Sequence, residues 1–263
     1  VNDAGQQYSI GDAGMLFKDN QPVMGVGSLC NFLLPFGPLL LSGGQMGQVF
    51  DALTGRLLYQ HRSPLNCATA FHKDGVLHAL IGTYTGEGLV FALDTAQGLT
   101  LIASIPMHDN AIKGVAANDR HLFSVCASAA VALHNIDDFS SARHVEQAHT
   151  RISNGCCTVD GGFASIGRDL KLRLWLGSGD EVYDTPHVNS IKCICASADG
   201  RVIATANYSG TVALFDLPSR TWMDVERPTA SGISCLSQDK DSNGFIASSY
   251  DGNIYTIAYR QAS

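Results

Sequence analysis

Apolar and polar residues alternate in short runs along this chain, as in LKLRL (170–174), and the runs are separated by turn-forming pairs. Asp74-Gly75, Asp160-Gly161 and Asp199-Gly200 each stand between two short apolar stretches, the arrangement of a β-hairpin. Period-two alternation and β-branched residues predict strands rather than helices. Three segments then align with one another: EGLVFALDTAQG (87–98), RDLKLRLWLGSG (168–179) and SGTVALFDLPSR (209–220). With Trp175 as the anchor, the equivalent positions are Phe50, Leu93, His134, Trp175, Phe215 and Ile257, at successive spacings of 43, 41, 41, 40 and 42. A period near forty is that of a four-stranded propeller blade.

Further columns move with the anchor. Three residues earlier stand Val90, Val131, Leu172, Val212 and Ile254, with Gly47 as the exception. Ten earlier stand Thr83, Ser124, Ser165 and Thr205, while the first and last repeats have Leu40 and Ala247. Gly88, Gly210 and Gly252 lie five earlier, and Asp51, Asp94 and Asp216 lie one later. Each repeat therefore reads as four antiparallel strands, a to d. One such sheet cannot bury both faces, so successive sheets must pack face to face around an axis.

At this point the chain resembles the WD-repeat family, over roughly residues 24–260. The fullest copy of the family pattern is AHTRISNGCCTVDGGFASIGRDLKLRLWL (148–176), with Ala148 and Leu176 departing from the usual Gly and Asp. The resemblance implies a hydrogen-bonded relay of His149, Ser165, Asp169 and Trp175 that ties strands b and c to a loop. It also implies that loops after strands b and d crowd one rim of a central channel. The residue before the relay Asp then points into that rim: Arg168, Tyr208 and Tyr250, beside Gly43, Gly86 and Ala127. Arg and Tyr are enriched at binding hot spots. Arg151, Asn110 and Asn189 are weaker candidates on neighbouring loops.

Counting between columns predicts six blades in a single domain, 1–263. VGSLCNF (26–32) opens the first inner strand, and GMLFKDN (14–20) supplies the outer strand that the last repeat lacks, closing the ring between the two termini. Seven blades or an open ring is the alternative, with QQYSI (6–10) as the remnant of an earlier strand c.

Composition narrows the function. Charged residues are only 16% of the chain, against about one quarter in a typical soluble domain, and the 27 glycines suit many tight turns. A net charge of -7 argues against a broad nucleic-acid footprint. The most apolar stretch, 29–41, is shorter than the roughly 20 residues of a membrane helix, and no signal-peptide pattern opens the chain. Eight cysteines occur without a CxxC pair, mostly inside apolar runs such as IKCICAS (191–197), which predicts buried free thiols and an intracellular setting, cytoplasmic or nuclear.

His149, Ser165 and Asp169 are also the residue types of a hydrolase triad, but Ser165 lacks the strained GxSxG elbow that exposes a nucleophile. His108 with Ser124, and His187 with Thr205, read as partial relays. Asp239, Asp241 and Asn243 open a DxDxNG calcium-loop pattern, yet Tyr250 and Ala247 stand where an acidic ligand is needed, so a polar turn is expected. FALDTAQG (91–98) is similar to the repeat of quinone-dependent dehydrogenase propellers, but occurs once. The expectation is a non-catalytic scaffold for a protein or peptide partner, needing no cofactor or metal and no nucleic acid or membrane. The rivals are a structural subunit completed by a partner strand and a propeller enzyme.

Overall fold

The structure, a computed structural model, describes residues 1–259 other than 4, 12, 95–97 and 240–242. Those residues form seven antiparallel sheets and no helix. Six sheets have four strands. The seventh, Ile233–Asp239, Gly244–Ser249 and Ile254–Ala258, has three among the described residues. Blades 1 to 7 span residues 2–25, 30–60, 65–106, 112–145, 153–184, 191–226 and 233–258. Inner strands of successive blades from 2 to 7 lie beside one another, and Ile233–Asp239 of blade 7 meets Asn2–Asp3 of blade 1.

The preferred count of six is thus corrected to the alternative of seven. The six repeats counted in the sequence are blades 2 to 7, and the extra blade is folded from residues 2–25. Its strands, Asn2–Asp3, Gln6–Ser9, Met15–Lys18 and Gln21–Gly25, hold only two to five residues each. A blade therefore needs far fewer than forty residues when its hairpins are this tight. Met15–Lys18 pairs with Gln6–Ser9 and Gln21–Gly25, so GMLFKDN is the third strand of blade 1 and not the outer strand of blade 7. Gln6–Ser9 is a second strand rather than a remnant strand c.

Alternating inward residues of neighbouring sheets form a chain of apolar clusters. Leu16 and Tyr8 of blade 1 meet Leu40 and Ala52 of blade 2, and Phe36 and Leu65 join blades 2 and 3. Phe123, Phe163 and Trp175 join blades 4 and 5, where the two Phe rings stack at 4.9 Å. Ile166 and Phe215 join blades 5 and 6, and Val212 and Phe245 join blades 6 and 7. Each fully buried Phe contributes about 1.5–3 kcal/mol through removal of apolar surface from water. Among the described residues, no buried apolar cluster joins blade 7 to blade 1.

Strand pairing also corrects two of the repeats. Ser165 faces Arg173 across strands b and c, two residues before the anchor Trp175. In blade 3 the equivalent pair is Ile81 with Leu89, which makes Phe91 the anchor instead of Leu93. In blade 2 it is Ser42 with Phe50, which makes Ala52 the anchor instead of Phe50. The relay-hydroxyl position is therefore held by Ser42 and Ile81, not by Leu40 and Thr83. One backbone feature confirms the corrected register. Five residues before each anchor the chain is left-handed, at Gly47, Gly86, Ala129, Leu170, Gly210 and Gly252. At Gly86 (φ 87°) a Cβ would also lie 1.9 Å from the His108 carbonyl oxygen, so only glycine fits.

Candidate interaction surface and the buried relay

The structure brings His149, Ser165, Asp169 and Trp175 together in blade 5. Trp175 Nε1–H donates to Ser165 Oγ at 2.9 Å, and Ser165 Oγ lies 2.9 Å from His149 Nε2. His149 Nδ1 lies 3.0 and 3.1 Å from the two carboxylate oxygens of Asp169. One proton placement satisfies every member: Ser165 donates to Nε2, and Nδ1–H donates to the carboxylate. Asp169 further accepts from the backbone N–H of Thr150 (3.2 Å) and of Lys171 (3.4 Å). Burial works to raise its carboxyl, but the bond to His149, that side chain's charge and the two backbone N–H groups together hold it below the ordinary aspartate value. Ser165 is fully buried and His149 is 1% exposed.

Blades 4 and 6 hold shortened versions. His108 Nε2 lies 2.9 Å from Ser124 Oγ, and His187 Nε2 lies 2.9 Å from Thr205 Oγ1. Ser128 and Ser209 stand at the Asp169 position by register. The Nδ1 atoms of His108 and His187 are buried with no hydrogen-bond partner among the described residues. Burial pushes both imidazoles down to about 4; for His108 the neighbouring His144 and His134 add to the effect.

The rim is built one residue beyond strand b. Its backbone N–H donates across to the loop before strand a of the same blade: Arg168 to Ile152, Tyr208 to Ser190, Tyr250 to Gly232. The corrected register replaces Gly43 and Gly86 in this column with Gln45 and Tyr84, whose N–H groups donate to Leu29 and Pro64. Tyr84 was missed in the sequence, although TYTG (83–86), NYSG (207–210) and SYDG (249–252) share a Tyr-x-Gly pattern that marks the position. Arg168 is exposed, and Tyr84, Tyr208 and Tyr250 are 41%, 37% and 61% exposed. The rings of Tyr208 and Tyr250 lie parallel within 4°, with centroids 6.4 Å apart.

The weaker candidates divide. Arg151 is exposed on the loop before Ser153–Val159. Asn110 and Asn189 turn their side-chain oxygens back onto the N–H groups of Ala111 and Ser190, so they brace their own loops. In the DxDxNG segment, Asp239 ends a strand paired with Gly244 and the Asn243 carbonyl accepts from Tyr259 N–H; Asp241 lies outside the described residues. No group of three His, Cys, Asp or Glu among the described residues could hold a metal ion. The eight cysteines are free, and burial pushes Cys67 and Cys195 up to about 12, away from thiolate chemistry. No helix is long and apolar enough to cross a membrane.

These features define the class: an all-β, seven-bladed propeller with WD-type relays. Comparison with known proteins gives the same answer. The family model "WD domain, G-beta repeat" matches residues 181–216, the outer strand of blade 5 and strands a to c of blade 6. Among solved structures, the chain is similar to the WD40 propeller domain of Doa1 (TM-score 0.81, 16% identity, covering 98% of this chain and 91% of that one). It is also similar to the computationally designed Ika8 protein (TM-score 0.76, 19% identity, 98% and 82%). A third match is a chain in the crystal structure of a mitotic checkpoint complex (TM-score 0.72, 17% identity, 88% and 73%). No curated protein matches the sequence. The chain is thus a seven-bladed β-propeller that carries a WD repeat over residues 181–216.

Proposed function

We propose that this protein is a non-catalytic interaction platform that holds a protein or peptide partner at the rim carrying Tyr84, Arg168, Tyr208 and Tyr250. WD40 propellers generally act as protein-interaction scaffolds and are typically not enzymes. The observation that carries the reading is the parallel, exposed Tyr208–Tyr250 pair on adjacent blades. Two large rings held at the mouth of a rigid disc offer contact area at small conformational cost. The likeness to a chain seen within a mitotic checkpoint complex accords with a role in assemblies.

The relay in blade 5 holds the residue types of a hydrolase triad, and its geometry favours a brace. The Ser165 hydroxyl already accepts from Trp175 and is closed off from solvent, so no carbonyl carbon can approach it. Free cysteines suit an intracellular setting. Affinity capture with mass spectrometry tests the platform directly. The intact domain should retain partners that a Tyr208→Ala/Tyr250→Ala/Arg168→Ala variant of equal thermal stability loses. An unchanged partner set would move the binding surface elsewhere.

A further inference from the structure

Strand a of every blade from 2 to 7 carries a β-bulge at its second residue, and the six bulge residues are Asn31, Asn66, Lys113, Asn154, Lys192 and Ser234. The three asparagines do the same work. Each donates its side-chain N–H to a carbonyl at the start of the next blade's inner strand: Asn31 to Leu65 at 2.8 Å, Asn66 to Ile112 at 2.7 Å, and Asn154 to Ile191 at 2.6 Å. They stitch blades 2 to 3, 3 to 4 and 5 to 6. In blades 4 and 6 this stitch is given up for a lysine.

Lys113 and Lys192 flank Arg168, which stands on the intervening blade, and Lys113 feels the charge of both. Burial, then the charge of Lys192, with a smaller push from Arg168, hold the Lys113 ammonium below its ordinary value. The Lys113 ammonium rests 4.9 Å from the centre of the Tyr84 ring, and Lys192 acts on the Tyr250 hydroxyl. None of the ion pairs among the described residues includes Lys113, Arg168 or Lys192. The carboxylates on the surrounding loops are engaged elsewhere: Glu87 with Arg62, Asp169 in the relay, Asp251 with Thr229 and Tyr255, and Asp109 beside Ser128. Three unneutralised cations thus crowd one mouth of a chain whose net charge is -7. Like charges left together without counter-charges destabilise the fold unless something else stands opposite them.

We infer that this mouth receives an acidic peptide segment, whose carboxylates meet Lys113, Arg168 and Lys192 while its apolar or aromatic side chains lie against Tyr84, Tyr208 and Tyr250. The inference rests on the rim reading above and adds the chemistry of the partner. The lysines stand on the inner strands and the tyrosines on the loops after strand b, so charge selects nearer the axis and rings grip further out.

The test is fluorescence anisotropy with a fluorescein-labelled peptide of alternating Glu and Tyr, eight residues long, against the same peptide with Gln for Glu. The acidic peptide should bind at least tenfold more tightly than its Gln counterpart, and tenfold less tightly when salt is raised from 25 to 300 mM. Lys113→Gln/Lys192→Gln should weaken it at least tenfold, with a melting temperature equal to or above that of the parent, while Arg220→Gln on the opposite side leaves it unaltered. Equal binding of the two peptides, or full binding by the double lysine variant, overturns the inference. A phosphoserine peptide that binds where the glutamate peptide does not also overturns it in favour of phosphate. If the lysine variant keeps its captured partners while the Tyr208/Tyr250 variant loses them, the charge assignment fails and the platform stands. If both keep them, the rim itself fails.

Discussion

Blades 4 and 5 are neighbours cut to one pattern, and they solve the same burial problem in different ways. In blade 5 a carboxylate, an imidazole, a hydroxyl and an indole form a closed line of donors and acceptors, from Trp175 to Asp169. In blade 4 the indole position is His134 and the carboxylate position is Ser128, and the line stops at His108. Ser128 turns to Cys126 instead. The outcome is two buried ring nitrogens without a hydrogen-bond partner among the described residues, Nδ1 of His108 and of His134, and a group of three imidazoles once His144 is counted. One absent carboxylate thus converts a satisfied brace into a site that resists protonation.

The largest expected effect breaks the complete blade. Asp169→Ala strips a charged acceptor from His149, Thr150 N–H and Lys171 N–H, and should cost about 3 kcal/mol, since each buried group left unpaired costs roughly 1–3 kcal/mol. A urea melt measures it; a midpoint shift that, multiplied by the slope m, amounts to less than about 1 kcal/mol would remove the brace.

The next effect belongs to the incomplete blades. His108 and His187 stay neutral in the fold down to about 4, whereas in the unfolded chain they take up protons near 6.5. Between those values the unfolded state binds more protons, so stability is full above about pH 6.5 and falls as pH drops towards 4, by about 1–3 kcal/mol per histidine. His108→Gln/His187→Gln should lower stability at pH 7 but flatten that slope. Asp169, held below the ordinary aspartate value, loses its contribution at still lower pH, which separates the two signals. A slope unchanged in the double variant would place the sensitivity elsewhere.

A smaller contrast follows for the hydroxyls. Ser165→Ala removes the partner of both Trp175 and His149, whereas Ser124→Ala removes the partner of His108 alone. Losses of about 2 and about 1 kcal/mol are expected, one hydrogen bond being worth roughly 1 kcal/mol net. Equal losses would mean that the indole bond contributes nothing. The smallest effect is a gain. Leu170 is left-handed at φ 60°, in a column otherwise filled by glycine except for Ala129. Leu170→Gly should relieve about 1 kcal/mol of backbone strain, partly offset by unfolded-state entropy and lost packing. A lower melting temperature would show that the leucine side chain outweighs the strain.

The repeat was legible because anchors and hydroxyls recur together in blades 4 to 6, and the anchor spacing continues into blade 7, where Ala247 replaces the hydroxyl. Blades 2 and 3 misled for a local reason. A slip of two positions keeps the strand face, and the true anchor is small in blade 2 and has a second large apolar residue on its own face in blade 3. Large apolar residues, Phe50 and Leu93, then stood two positions from the true anchors, Ala52 and Phe91. The error hid Tyr84 from the rim. Blade 1 was missed because strands of two to five residues carry too few positions to show a period. Lys113 and Lys192 were also missed, since a bulge has no sequence signature apart from its pairing partner. Within blade 5, by contrast, all four relay residues could be named from the pattern alone.

Blade 1 wedges the disc shut with strands of only two to five residues, between Ile233–Asp239 of blade 7 and the apolar cluster it shares with Leu40 and Ala52 of blade 2. Short strands carry few ladder bonds, so local opening needs little free energy there. Amide exchange should therefore be faster in Gln6–Ser9 and Met15–Lys18 than in the eight- and nine-residue strands of blade 3. A ring is only as durable as its keystone, and here the keystone is the smallest piece.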